Sequence, residues 1–111
     1  MSNELVSDAD VEKALDFLRD NADEMGLAKE EAVRADHMLK HVKALAMKQY
    51  ADIAVSAQER EAHASKQYLE AIDRTAKAAG HLAKMQSLRE AAALKIETWR
   101  SASANYRAMK L

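Results

Sequence analysis

The chain of 111 residues contains no cysteine and no proline, and its only glycines are Gly26 and Gly80. Without cysteine it can form neither disulfide bonds nor thiolate metal sites, and its composition does not point to an oxidising compartment. Because proline is absent and glycine is rare, the chain has almost none of the residues that interrupt helices. Aromatic residues make up 5% of it, and valine and isoleucine are also too sparse to build a sheet.

Long apolar runs are absent as well, and none approaches the ~20 residues that a helix needs to span a bilayer. The amino terminus lacks the basic and apolar regions of a secretion signal. We therefore expect a cytoplasmic protein that does not contact a membrane.

Alanine dominates what is present, with 24 residues, and alanine loses the least free energy on entering a helix. Alanine, glutamate, lysine, leucine and arginine together make up more than half of the chain, a composition typical of long helices and coiled coils. We predict a single all-α domain over residues 1–111, built as a long antiparallel helical hairpin that resembles a coiled coil.

The net charge of −1 conceals an uneven distribution along the chain. Residues 1–31 carry ten acidic and three basic side chains, whereas residues 81–111 carry six basic and two acidic ones. An acidic first segment and a basic last segment indicate two surfaces that would attract different partners.

The first helix is predicted over residues 8–25. Ser7 and Asp10 have the spacing of a capping box, in which each side chain accepts a hydrogen bond from the other's backbone. Gly26 is suited to end the helix. The acidic flank of this helix and its off-stripe aromatic residue form a predicted protein-binding surface, which consists of Glu12, Asp16, Phe17, Asp20 and Asp23.

A second helix is predicted over residues 28–79, which contain no helix-breaking residue. Acidic residues four positions before basic ones, such as Glu70 before Arg74 and Asp73 before Lys77, would support it. An alternative prediction breaks this helix near residue 56, where Ser56 and Glu59 have capping-box spacing.

Gly80 is then predicted to allow a turn into a last helix over residues 81–109. A helix of that length cannot cover the longer one before it. We therefore expect self-association into an oligomeric bundle, with a dimer favoured.

The last helix has apolar residues at steps of three and four, bordered by basic side chains. At 100° per residue, three arginines fall within about 20° of one another on one flank, and two lysines lie on the other. The predicted nucleic-acid-binding surface consists of Lys84, Arg89, Lys95, Trp99, Arg100, Tyr106 and Arg107. There the aromatic rings would stack on bases while the basic groups hold phosphates.

Two other interpretations of this surface stay open. In one, the charges are ordinary solvated helix flanks, with Trp99 and Tyr106 buried between the helices. Alternatively, the acidic flank of the first helix docks on the arginine row, within one chain or between chains.

Sites for metals and catalysis are not evident in the sequence. His37 and His41 lie four residues apart on one helix face, but a tight metal site needs at least a third ligand. The serines lack the glycine pattern of a nucleophile elbow, and two isolated glycines cannot form a phosphate-binding loop. We therefore expect a protein that is not an enzyme and that has neither metal nor cofactor.

A resemblance to known proteins covers residues 38–108. Its most specific part is the segment Ile96–Ser101 with Asn105 and Arg107–Ala108, and the residues between Lys43 and Tyr68 are similar in character. This region resembles small helical proteins encoded by tailed phages and prophages, often near recombination or replication genes. The resemblance implies a genetic context, with the bacterial host cytoplasm as location, rather than a mechanism.

Together these features lead to three functional hypotheses. The first is a non-enzymatic accessory protein of phage DNA metabolism that binds single-stranded DNA, or a DNA-bound protein, through the last helix. The second is a protein–protein adaptor or inhibitor of a host factor that acts through the acidic first helix. The third is a structural oligomer without a ligand.

Overall fold

The computed structural model describes residues 5–110, which form four α-helices and, within that range, no β-strand. The helices are α1 (Asp8–Asp20), α2 (Ala22–Lys48), α3 (Val55–His63) and α4 (Lys66–Lys110). The described residues fall into two compact units: unit 1 contains residues 5–25 and 84–110, and unit 2 contains Gly26–Ala83. The all-α prediction is confirmed.

Unit 1 pairs α1 with the C-terminal part of α4 in antiparallel orientation. Asp8 contacts Trp99, whereas Asn21 at the other end of α1 contacts Met85 and Arg89, so the two helices run in opposite directions. The buried side chains at their interface are Val11, Ala14, Asn21, Met85 and Ala92. Their spacing of three and then seven residues from Val11 to Asn21, and of seven along α4, is that of a helix–helix seam.

The predicted capping box at the start of α1 is present. The Asp10 backbone N–H donates to Ser7 Oγ, and the Ser7 backbone N–H donates to Asp10 Oδ2, both at 3.1 Å. These bonds satisfy two backbone donors near the end of the helix, which is why α1 begins at Asp8.

The predicted end of the first helix at residue 25 is wrong, because α1 ends at Asp20 and Gly26 lies inside α2. The interruption occurs at Asn21, whose backbone N–H donates to Phe17 O while its buried side chain bonds to α4. An added Cβ at Gly26 would meet nothing within 4 Å, so neither a turn nor a close contact requires glycine there.

Unit 2 pairs α2 with the N-terminal part of α4, again antiparallel, and α3 lies between them in sequence. Thr75 Oγ1 lies 3.3 Å from the carbonyl oxygen of Ala35 across the pair and 2.9 Å from that of Ala71 on its own helix, so its single proton is shared between the two acceptors. The buried residues of unit 2 are alanines: Ala28 and Ala46 on α2, Ala71 and Ala78 on α4, and Ala62 on α3. Such small side chains let the two backbones approach closely but bury little apolar area per residue.

The predicted helix over residues 28–79 is not continuous, because α2 ends at Lys48 and α3 begins at Val55. The alternative prediction, a break near residue 56, is therefore close to the observed break. The capping box that it proposed, Ser56 with Glu59, is not the cap of α3. Ala54 is the N-cap of α3 and makes no side-chain cap bond, while Gln58 Nε2 donates to Ile53 O at 2.8 Å.

A second interruption, at residues 64–65, separates α3 from α4. Ser65 stabilises it, because its hydroxyl donates to Ala62 O and accepts from the Tyr68 backbone N–H.

The predicted turn at Gly80 is also wrong, since α4 runs unbroken from Lys66 to Lys110. The chain reverses instead between Lys48 and Lys66, where the two short connections flank α3. Glycine inside a helix costs roughly 1 kcal/mol relative to alanine, too little to end a helix that is packed along its length. No helix in the range 5–110 is both long enough and apolar enough to span a membrane.

Candidate nucleic-acid interface

All seven residues predicted to bind nucleic acid lie on the part of α4 that belongs to unit 1. The structure divides them by their relation to α1. Lys84, Lys95, Arg100, Tyr106 and Arg107 are exposed, whereas Arg89 and Trp99 are half-buried. Lys84 lies sixteen residues before Arg100, roughly 24 Å along the helix at ~1.5 Å per residue, so it is not part of one cluster with the C-terminal residues.

Arg89 is engaged in the contact between α1 and α4. Its Nη1 donates to the carbonyl oxygen of Leu18 at 3.0 Å and to Asn21 Oδ1 at 3.2 Å. Leu18 lies in the last turn of α1, and Asn21 is the residue that interrupts the helix. The guanidinium therefore satisfies a free carbonyl at a helix C-terminus and acts as a positioning group for α1.

Trp99 is partly covered by the start of α1. Its Nε1–H donates to Asp8 Oδ1 at 2.7 Å, a short hydrogen bond to a carboxylate in an exposed setting. The indole keeps some exposed surface. One edge of the predicted stacking residue is thus already bound by a residue of the same unit.

Lys95 lies close to the acidic N-terminus of α1. The pKa of the Asp10 carboxyl is lowered, chiefly by its hydrogen bonds with the Ser7 backbone and side chain, and to a smaller extent by the charges of Lys95 and Lys13. Docking of the acidic flank of the first helix on the arginine row is not observed within unit 1: Arg89 bonds to a carbonyl and an amide, and the acidic residues of α1 that approach α4 are Asp8 and Asp10, near Trp99 and Lys95.

The last turns of α4 form the most open part of the predicted surface. Tyr106 is 60% exposed, and Lys110 Nζ lies 5.0 Å from its ring centroid, a cation–π distance. Arg107 is exposed beside them, and Arg100 is exposed in an ion pair of 2.9 Å with Glu97. No acidic residue follows Glu97 in the sequence.

Lys110 was missed by the sequence-based prediction. It lies four residues after Tyr106, which places the two side chains on one helix face, so the spacing alone could have identified it. We call Arg100, Tyr106, Arg107 and Lys110 the C-terminal basic surface.

The predicted protein-binding residues of the acidic segment lie on α1 and at the start of α2. Phe17 is half-buried rather than freely exposed. Arg19 donates to Asp20 at 2.9 Å and lies 3.3 Å from Asp16, and these contacts, chiefly the bond to Asp20, raise the pKa of its guanidinium. The four carboxylates are exposed; they are Glu12, Asp16, Asp20 and Asp23.

His37 and His41 are both exposed on α2. Across residues 5–110, no group of three or more histidine, aspartate or glutamate side chains is arranged to hold a metal ion.

Comparisons with known proteins add no relative: no family model, curated protein or solved structure matches the chain.

Proposed function

We propose that this chain is a non-enzymatic accessory protein, of the kind that phages use in DNA metabolism, and that it binds single-stranded DNA or a DNA-bound protein. The observation that carries this proposal is the exposure of Tyr106 among Arg100, Arg107 and Lys110. An exposed ring next to cationic side chains matches what single strands require, because the ring stacks on a base while the cations hold phosphates.

The C-terminal basic surface replaces the full predicted set as the primary contact. Arg89 is bound to α1 through Leu18 and Asn21, so it would have to release those acceptors to reach a phosphate. Trp99 and Lys95 border the surface and face Asp8 and Asp10, whose carboxylates oppose a polyanion. Lys84 would contribute only long-range attraction.

Fluorescence anisotropy with a labelled oligothymidine, at two salt concentrations, tests the proposal. Each phosphate contact contributes a salt slope of about −0.7 for single strands, so replacing both Arg107 and Lys110 with glutamate should flatten the slope and weaken binding. Tyr106→Ala should lose about 1–3 kcal/mol if the ring stacks on a base. Lys48→Glu with Lys66→Glu is the matched control, because it makes the same change in net charge on unit 2.

Asp8→Asn provides a second test on the same assay. The substitution removes a negative charge beside Trp99, so it should strengthen oligonucleotide binding. An affinity that does not respond to salt, or that is equal in wild type and in the Arg107/Lys110 variant, would contradict nucleic-acid binding at this surface.

The exposed carboxylates of α1 favour a second candidate, a protein–protein adaptor or inhibitor. In that case charge reversal at Glu12 and Asp16 abolishes partner capture, whereas on the first proposal it leaves oligonucleotide binding intact or stronger. For either function we also propose that the chain self-associates, with the dimer as the first expectation, since many large apolar side chains are exposed, among them Leu15, Leu27, Val33, Met38, Leu45, Leu69 and Leu94.

A further inference from the structure

Unit 2 has a groove of about 390 Å³ between α2 and α4. Its floor contains the buried alanines Ala28, Ala71 and Ala78, and Met38 and Val42 lie beside them. Met38 is 45% exposed. The alanines bring the two helices together but leave no bulky side chain to fill the space alongside, so an apolar surface stays open to solvent.

The polar residues that line this groove include three cationic side chains, and the full set is Arg34, Arg74, Lys77, His81 and Glu31. Arg34 is paired with Glu30 at 3.2 Å, so Arg74 and Lys77 carry the excess positive charge of the rim. Glu70 and Asp73 lie four residues before Arg74 and Lys77, the spacing that favours ion pairs within a helix. Nevertheless, neither Arg74 nor Lys77 forms an ion pair with any other residue between 5 and 110. The rim therefore suits an acidic occupant and repels a second groove of the same kind.

The outer face of α1 and the start of α2 have the opposite character. Glu12 and Asp16 lie within about 40° of each other on α1 at 100° per residue, and both are exposed, as is Asp23 on α2 after the interruption at Asn21. The exposed Arg19 pairs with Asp16 and Asp20, so the carboxylates of this face outnumber its one arginine but are partly neutralised by it. Leu15, 53% exposed, lies at the edge of this acidic face. An exposed leucine next to carboxylates is what a groove with an apolar floor and a basic rim would bind, as in helix-in-groove recognition.

We infer that the groove of unit 2 binds the acidic outer face of α1 from a second copy of this chain, with Leu15 packed against the groove floor. This rests on the proposed self-association but not on nucleic-acid binding. Every copy carries both surfaces, so each copy offers a groove and an acidic face to another copy.

Two charge-reversed variants test the inference, one with Arg74→Glu and Lys77→Glu, the other with Glu12→Lys and Asp16→Lys. Sedimentation velocity over a concentration series measures the dimer constant of each. Each variant alone should dissociate at least about tenfold more readily than wild type, since like charges would meet across the contact. An equimolar mixture of the two should dimerise again, because each reversed surface then meets its complement.

All four positions are exposed, and circular dichroism would verify that the variants keep their helix content. The matched controls are Lys48→Glu with Lys66→Glu, and Glu59→Lys with Glu90→Lys, which change the net charge equally outside both surfaces; they should dimerise as wild type does. A wild type that stays monomeric at every concentration overturns both self-association and this contact. If the charge reversals leave the dimer constant unchanged, or if the mixture dimerises no more strongly than each variant alone, the proposed contact is overturned but self-association is not.

Discussion

Arg89 and Asn21 are joined by a hydrogen bond of 3.2 Å between the guanidinium and the amide oxygen, across the interface of α4 and α1. The amide nitrogen of Asn21 in turn donates to Met85 Sδ at 3.3 Å. A buried polar side chain inside an apolar seam is costly unless it is satisfied, so Arg89 and Met85 together hold Asn21 in one register. One of the predicted phosphate-binding arginines is thus a structural contact of unit 1.

Replacing Arg89 with alanine should therefore destabilise the fold. The substitution leaves Asn21 Oδ1 and the Leu18 carbonyl without their donor, and an unsatisfied buried acceptor costs about 1–3 kcal/mol. Urea unfolding followed by Trp99 fluorescence would measure the loss. Arg107→Ala is the control, because the side chain is exposed and its removal should change stability by less than about 0.5 kcal/mol. Equal stability of the two variants would show that the Arg89 contacts are not stabilising.

The capping box makes unit 1 sensitive to acid. Hydrogen bonds with Ser7 hold the pKa of the Asp10 carboxyl below its ordinary value of 3.8. A lowered folded-state pKa contributes stability that is present above the unfolded-state value and is lost as the pH falls through the folded-state value. Wild type should therefore lose more stability below pH 3.8 than Asp10→Asn, which cannot take up a proton. Urea unfolding midpoints of both proteins, measured from neutral pH to below pH 3.8, would test this. The same pH dependence for wild type and Asp10→Asn would show that the Asp10 bonds are unimportant.

Substitutions of the two glycines would distinguish the observed helices from the turns that the sequence predicted. Gly26 and Gly80 have no positive φ, and an added Cβ at either would meet nothing within 4 Å. Each substitution by alanine should stabilise the protein by roughly 0.5–1 kcal/mol, because alanine loses less conformational entropy in a helix. Thermal unfolding should show a higher Tm for both variants. A lower Tm for Gly80→Ala would instead indicate a turn at that residue.

The alanine interface of unit 2 should not tolerate larger side chains. Ala62 has no exposed surface, so Ala62→Leu forces extra volume into a packed position and should cost about 1–3 kcal/mol. Ala76 is exposed on α4, and Ala76→Leu should be nearly neutral. Chemical unfolding of the two variants in parallel measures the difference. Similar stabilities would mean that the helices can separate around residue 62 at little cost.

The position of the helix breaks shows where local pattern stopped being sufficient. Gly26 and Gly80 were predicted to end helices on the basis of backbone preference, which amounts to roughly 1 kcal/mol per residue. The actual interruption lies at Asn21, whose side chain bonds to Met85 and Arg89, 64 and 68 residues further along the chain. A sequence pattern within one helix cannot reveal such partners, although Asn21 lies seven residues from both Ala14 and Ala28, at the seam spacing.

The candidate site was predicted in the same uneven way. The exposed basic and aromatic residues at the end of α4 follow from composition and helical spacing. The roles of Arg89 and Trp99 could not be predicted in this way, because both depend on which residues of α1 contact them.

The sequence by itself determined the helical content, the capping box of Ser7 and Asp10, and the acidic and basic ends, because these depend on side chains within a few residues of one another. Only the tertiary structure decided where the chain reverses and which arginine is structural. Both outcomes follow from the antiparallel pairing within each unit, where burial of alanine seams and satisfaction of Asn21 contribute more free energy than a glycine's preference for a turn.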